Sequence, residues 1–152
     1  MTQDEQIRFV ARVIFAEAAA DCPFADRQIV ALTIKNRCLH PGFAASDPYA
    51  AASQQGAYSC IDDSNNKNWA ATENAAPICA AWSEALFLAT GLYKKRTWPG
   101  KELSGSILKS LPVYYHNKSI AMPSSWSNKW YTAVKLGETD RFVYYSAIPT
   151  EG

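Results

Sequence analysis

Tyr131-Thr132-Ala133-Val134-Lys135-Leu136 and Arg141-Phe142-Val143-Tyr144-Tyr145-Ser146, joined by Gly137-Glu138-Thr139-Asp140, decide the fold class. Both runs alternate side chains at a period of two and are rich in aromatic and β-branched residues, so they read as two strands of a hairpin. Val113-Tyr114-Tyr115-His116 just upstream is also β-like. Everything before it has a different period. From Ile7, the apolar positions Val10, Ala11, Ile14 and Ala18 recur at helical spacing. Thr2 and Glu5 have the spacing of a capping box, which predicts a first helix from about Gln3 to Ala20, broken by Asp21-Cys22-Pro23. A second helix is predicted from Phe24 to Leu39, ended by Pro41-Gly42. Ser46-Asp47-Pro48 opens a short helix to about Gln54. Asn74 caps another from about Ala75 to Thr90, stopped by Gly91, with Cys79, Trp82, Leu86 and Ala89 on one face. Helices first and strands last give an α+β chain: a mainly helical lobe with a small C-terminal antiparallel β-sheet.

The 152 residues fit one domain, 1–152, and 48% hydrophobic content places the chain among globular proteins. A net charge of +1 gives no field for nucleic acid or an anionic membrane, and no stretch approaches the roughly 20 apolar residues of a membrane span. Met1-Thr2-Gln3-Asp4-Glu5 is acidic and lacks the basic start of a secretory signal, so the chain is made without one or has lost it. Cys22, Cys38, Cys60 and Cys79 contain no C-x-x-C pair, which argues against zinc; they are buried thiols or two disulfides of undetermined pairing.

Glu17 stands out chemically. It follows Val13-Ile14-Phe15-Ala16 and, at about 100° per residue, falls beside Val10 on the shoulder of the apolar stripe. A carboxylate there loses water and has only alanines next in sequence, which raises its pKa and suits it to proton donation. A rim glutamate reaching solvent or an arginine is the bland alternative. Gln55 to Ala76 is polar and loop-like, an uncommon length that usually marks a functional surface; in it Gln55, Tyr58 and Ser59 can hydrogen-bond a sugar or an acetamido group. Five Trp and eight Tyr, many in the C-terminal half, offer flat faces that pack a core or stack on pyranose rings, Tyr115, Trp126 and Trp130 among them. His116 beside Tyr115 is more often a packed residue than a catalyst. G-x-S-x-G, H-E-x-x-H and glycine-rich phosphate loops are absent, so serine hydrolase, zincin and nucleotide chemistry lack support and no metal or cofactor is expected. A desolvated acid beside aromatic and polar walls suits glycosidic bond cleavage.

Three blocks resemble the spore-cortex-lytic cell-wall hydrolases of the SleB and CwlJ type. The first is Ala11-Arg12-Val13-Ile14-Phe15-Ala16-Glu17-Ala18 followed by Val30-Ala31-Leu32-Thr33-Ile34-Lys35-Asn36-Arg37. The second is Gln55-Gly56-Ala57-Tyr58-Ser59-Cys60, and the third combines Tyr115-His116, Pro123-Ser124-Ser125-Trp126 and Phe142-Val143-Tyr144. The blocks span nearly the whole chain in the family's order. The resemblance implies a lysozyme-related fold with a glycan cleft and a peptidoglycan-cleaving enzyme, a lytic transglycosylase with Glu17 as its acid. It further implies that Gln55, Tyr58, Ser59, Tyr115, His116 and Trp126 bind the glycan. Where the family carries Gly-Glu after its Glu-Ala motif, this chain has Ala19-Ala20-Asp21, and the family's histidine in the last turn is missing, which marks a divergent relative.

A hydrolytic muramidase would need a second carboxylate, from Asp62, Asp63 or Glu73, about 5–9 Å from Glu17. A stem-peptide amidase would need a metal cluster, and an inactive carbohydrate-binding module would keep glycan binding in Glu17→Gln. The expected partner is peptidoglycan, reached as a phage endolysin or as a secreted antibacterial toxin with a cognate immunity protein. Periplasmic pairing of the cysteines would favour the toxin.

Overall fold

The computed structural model describes residues 1–18, 22–54, 58, 60, 66–74, 79–94 and 105–150. In chain order these form α1 (Gln3–Glu17), α2 (Phe24–Leu39), α3 (Pro48–Ser53), α4 (Lys67–Ala71), α5 (Ala80–Leu92), α6 (Gly105–Leu108), β1 (Tyr114–Asn117), a 3-10 turn (Ser124–Trp126), β2 (Tyr131–Glu138) and β3 (Phe142–Pro149). The α+β expectation holds.

Helix α1 is the central strut. Thr2 accepts from Glu5 N and the Glu5 side chain reaches back to Thr2 N, the capping box its spacing foretold. Its stripe of Val10, Ala11, Val13, Ile14, Phe15 and Ala16 is buried against α2, α3, α4 and α5. Complete burial of Val10 and Ile14 contributes about 1.5–3 kcal/mol each, and Ile14→Ala would cost about 2–5 kcal/mol through the cavity it leaves. The helix stops at Glu17, with Ala18 capping it outside helical geometry, so it ends about a turn earlier than the run of alanines suggests.

Helix α2 matches its expected span, and Asp47 caps α3 through Ala50 N with Pro48 at its first position. Two expectations need correction. The polar stretch after Gln54 is not all loop: Asn66 caps the short helix α4 through Trp69 N. Arg12 of α1 holds that helix, donating to Thr72 Oγ1 and Trp69 O with its guanidinium 3.9 Å over the Trp69 ring. Helix α5 has Cys79 as its N-cap residue and runs through Gly91 to Leu92; Leu86 points outward, and Ala81, Trp82, Ala85, Ala89 and Leu92 form the buried face. Small residues can follow either face, and alanine carries too little hydrophobic signal to show which. The short α6 gave no helical period to read.

The sheet order is β1-β3-β2, all antiparallel, with Tyr115 opposite Tyr144 and Asn117 opposite Phe142. The hairpin is as expected, except that Gly137 and Glu138 belong to β2 and the turn is shorter. A bulge falls between Lys135 and Gly137. Tyr144 crosses over Gly137, where a Cβ would lie 2.5 Å from its hydroxyl, so glycine permits that close approach. The sheet is tied to α2 through backbone carbonyls: Asn36 Nδ2 donates to Pro112 O, Arg37 Nε to Val113 O and His40 Nε2 to Ala147 O. These bonds set β1 beside the C-terminal end of α1.

Candidate active site

Glu17 is the last residue of α1 and half-buried, at the place where the helical lobe meets β1. The carboxyl does not rely on the alanines that follow it in sequence. Its surroundings come from far along the chain, in Tyr58 and in Tyr115 of β1. Strand alternation turns Tyr115 toward the helical core, where its ring packs 4.7 Å from Phe142 and 6.1 Å from Tyr58. Burial, followed by the facing charge of Glu17, pushes the Tyr115 phenol well above its usual value of 10. The Tyr115 hydroxyl is buried and its approach to Glu17 lacks regular hydrogen-bond geometry, so the pairing is chiefly electrostatic.

Tyr58 lies underneath at 1% exposure. Thr33 Oγ1 donates to Val30 O, so at the 3.1 Å contact between the two hydroxyls Tyr58 is the donor and Thr33 the acceptor. Burial raises the Tyr58 pKa, Arg37 opposes the rise, and the Glu17 charge adds to it. Both phenols therefore stay neutral, a polarisable floor carrying no charge of its own. Arg37 braces that floor. Its guanidinium sits 5.1 Å from the Tyr58 ring, 5.1 Å from Phe43 and 5.4 Å from Tyr114, while Nε is held by Val113 O. The sequence signal for Arg37 was its place at helical spacing on the buried stripe of α2, where a cation is unusual; that signal did not reveal the aromatic cage.

The other expected residues are distributed as follows. His116 and Trp126 lie on the opposite face of β1 from Tyr115, in a cluster with Tyr114 and Tyr145. Trp126 stacks on Tyr114 at 4.5 Å and 8°. His116, 8% exposed, places Nδ1 2.8 Å from Asn117 O and Nε2 2.8 Å from Tyr145 Oη. The carbonyl can only accept, so Nδ1 carries the proton and Nε2 accepts from Tyr145. Gln55, Ser59, Asp62 and Asp63 lie outside the described residues. Glu73 is exposed, and its charge is felt by Arg12. Cys22, Cys38 and Cys60 are buried and Cys79 is half-buried, and no disulfide joins them among the described residues. Among the described residues, no group of three metal-ligating side chains converges and no helix is long and apolar enough to cross a membrane.

The path of the chain matches a solved structure. The crystal structure of the catalytic domain of the Bacillus cereus SleB protein superposes with a TM-score of 0.60, at 14% sequence identity, over 96% of this chain and 93% of that one. The chain has the SleB catalytic-domain fold. No protein-family profile and no curated protein sequence matches it. The SleB fold thus agrees with the resemblance read from the three blocks, at an identity low enough that the likeness lies in architecture.

Proposed function

We propose that this chain is a peptidoglycan lytic transglycosylase that cuts the bond between N-acetylmuramic acid and N-acetylglucosamine with Glu17 as general acid and base. One observation carries the reading: a half-exposed carboxyl at the end of a buried helix, set on a floor of two neutral, buried phenols. The blocks resembling cell-wall hydrolases and the SleB fold support it. Glu17 gives its proton to the glycosidic oxygen as the bond from the anomeric carbon breaks. The muramoyl C6 hydroxyl bonds to that carbon, and its proton returns to Glu17, leaving a 1,6-anhydro end. The balance closes without water, so a second carboxylate has no part in it. Tyr115 and Tyr58 act from beneath as positioning residues, while Gln55, Ser59, His116 and Trp126 would contact the glycan.

A hydrolytic muramidase would route water through a second carboxylate. Glu73 stands beside Arg12, and nothing favours it for that role. The setting we infer is delivery to the cell wall as a phage endolysin or an injected antibacterial toxin, the latter with an immunity protein covering the cleft. The test is digestion of purified peptidoglycan by wild type and Glu17→Gln, with products read by mass spectrometry. Anhydromuramoyl ends from wild type alone are expected; reducing muramoyl ends would establish the muramidase instead, and retained binding without cleavage would establish a binding module.

A further inference from the structure

Helix α1 ends against a cation that its own sequence does not supply. Its last turn contains no basic residue, and Ala18, which caps it, is fully buried. Ala18 N completes the helix by donating to Ile14 O at 3.0 Å. The Ala18 carbonyl has no partner within the helix, and burial keeps solvent from replacing one. The donor comes from α2. Arg27 Nη1 donates to Ala18 O over 3.4 Å and to Cys22 O at 3.0 Å.

The rest of the guanidinium fork is engaged as well. Arg27 Nε donates to Glu84 Oε2 at 2.9 Å, and Nη2 bonds the same oxygen. Glu84 stands on α5, which packs against both α1 and α2. Arg27 is 4% exposed. A guanidinium buried that far needs a countercharge and acceptors for its donors, and Glu84 with the two carbonyls supplies them. The fork is planar, so the pairing with Glu84 also fixes the plane in which Nη1 meets the carbonyls. A plain brace between α2 and α5 would need only the carboxylate. This one also grips the residue that follows Glu17.

We propose that Arg27, oriented by Glu84, is a positioning residue for Glu17. Helix ends fray, and Glu17 is the last residue of α1. The Ile14 bond holds the peptide between Glu17 and Ala18, and Arg27 pins the next carbonyl, so the last turn cannot unwind through the acid. The carboxyl is thereby kept against the Tyr115 and Tyr58 phenols that feel its charge. A displacement of about 1 Å at a reacting group can cost about 10²-fold in rate, so a clamp one residue away bears on turnover. The inference rests on the glycan-cleaving reading for its effect on rate, though not for the place it gives the carboxyl.

The experiment measures kcat and KM on soluble peptidoglycan strands for Arg27→Lys, Arg27→Met and the double variant Arg27→Met with Glu84→Leu, each well below its Tm. Lysine keeps the charge but presents a point ammonium that cannot serve Glu84 and both carbonyls at once. Arg27→Lys is expected to lower kcat by about tenfold, with KM changed by less than about twofold. Arg27→Met is expected to lower kcat at least as far and also to lose stability, because Glu84 is left without its cation. The apolar pair of the double variant regains stability but not kcat. Recovery of kcat together with Tm, or full kcat in Arg27→Lys, would make the pair a brace between helices and overturn the proposal. If wild type and Glu17→Gln cleave alike, or neither cleaves, the glycan-cleaving reading falls, and crystal structures of wild type and the double variant decide the positioning. A Glu17 carboxyl displaced by about 1 Å or more from Tyr115 upholds it, and an unmoved one overturns it.

Discussion

On one face of β1, Tyr115 enters the helical lobe, packs on Tyr58 and Phe142 and meets the charge of Glu17. On the other, Tyr114 and His116 lie with Trp126 and Tyr145 in an aromatic cluster of their own. The sequence writes Tyr115 and His116 as a pair, and a period of two sends them to opposite neighbourhoods. The inner face serves the carboxyl; the outer face has aromatic surface and a histidine already engaged on both nitrogens. Adjacency in sequence is thus poor evidence of a shared role on a strand, and the two faces can be separated by mutation.

The largest effect belongs to the inner face. Glu17→Gln should lower the rate of peptidoglycan cleavage by about 10³-fold, the middle of the range for loss of a general acid, and shift Tm by no more than about 2 °C because the side chains are nearly isosteric. Full activity in that variant would remove the inner face from the chemistry altogether.

Tyr115→Phe comes next, with a loss of roughly tenfold in kcat and little change in KM, since the phenol steadies the carboxyl from a buried position. An effect confined to KM would make Tyr115 a sugar contact instead. The same residue has a signature in alkali. Its folded pKa is raised above the usual 10, so folded and unfolded states bind equal protons below that value. Above pH 10 the unfolded phenol ionises first, and stability falls as pH rises toward the folded value. Thermal melts between pH 9 and 12 should show a decline that Tyr115→Phe reduces; an unchanged slope would mean that the phenol is not buried against Glu17.

How far this arrangement was legible follows from the range over which each signal acts. The α1 capping box, the span of α2, the Asp47-Pro48 start of α3 and the β2–β3 hairpin are local, decided by residues a few positions apart, and all were readable. Glu17 was readable as an acid on the shoulder of a stripe. Its floor was not, because Tyr58 and Tyr115 reach it through tertiary folding, and the bond from Tyr58 to Thr33 spans 25 residues. Arg27 was illegible for the same reason: its bond to Glu84 spans 57 residues.

The outer face should respond more weakly. His116→Ala and Trp126→Ala are each expected to reduce cleavage by roughly fivefold, mainly through KM, if that face carries glycan beyond the reacting bond. Losses as deep as that of Tyr115→Phe, and in kcat, would erase the distinction between the faces.

Tyr145→Phe is the finest probe of the comparison. His116 gives its Nδ1 proton to Asn117 O, so Nε2 needs a donor, and Tyr145 Oη provides it at 2.8 Å in a site where the imidazole is 8% exposed. Removing the hydroxyl leaves that nitrogen unsatisfied, which should cost about 1–2 kcal/mol in chemical denaturation. The Tyr145 ring remains against Trp126 and His116, so the aromatic surface keeps its shape, and cleavage should change by less than about twofold. A stability loss with activity intact would assign the His116–Tyr145 pair to holding the sheet. A larger loss of activity than of stability would mean that the imidazole orientation set by this bond is read by the substrate, and the outer face would then join Glu17 in the site.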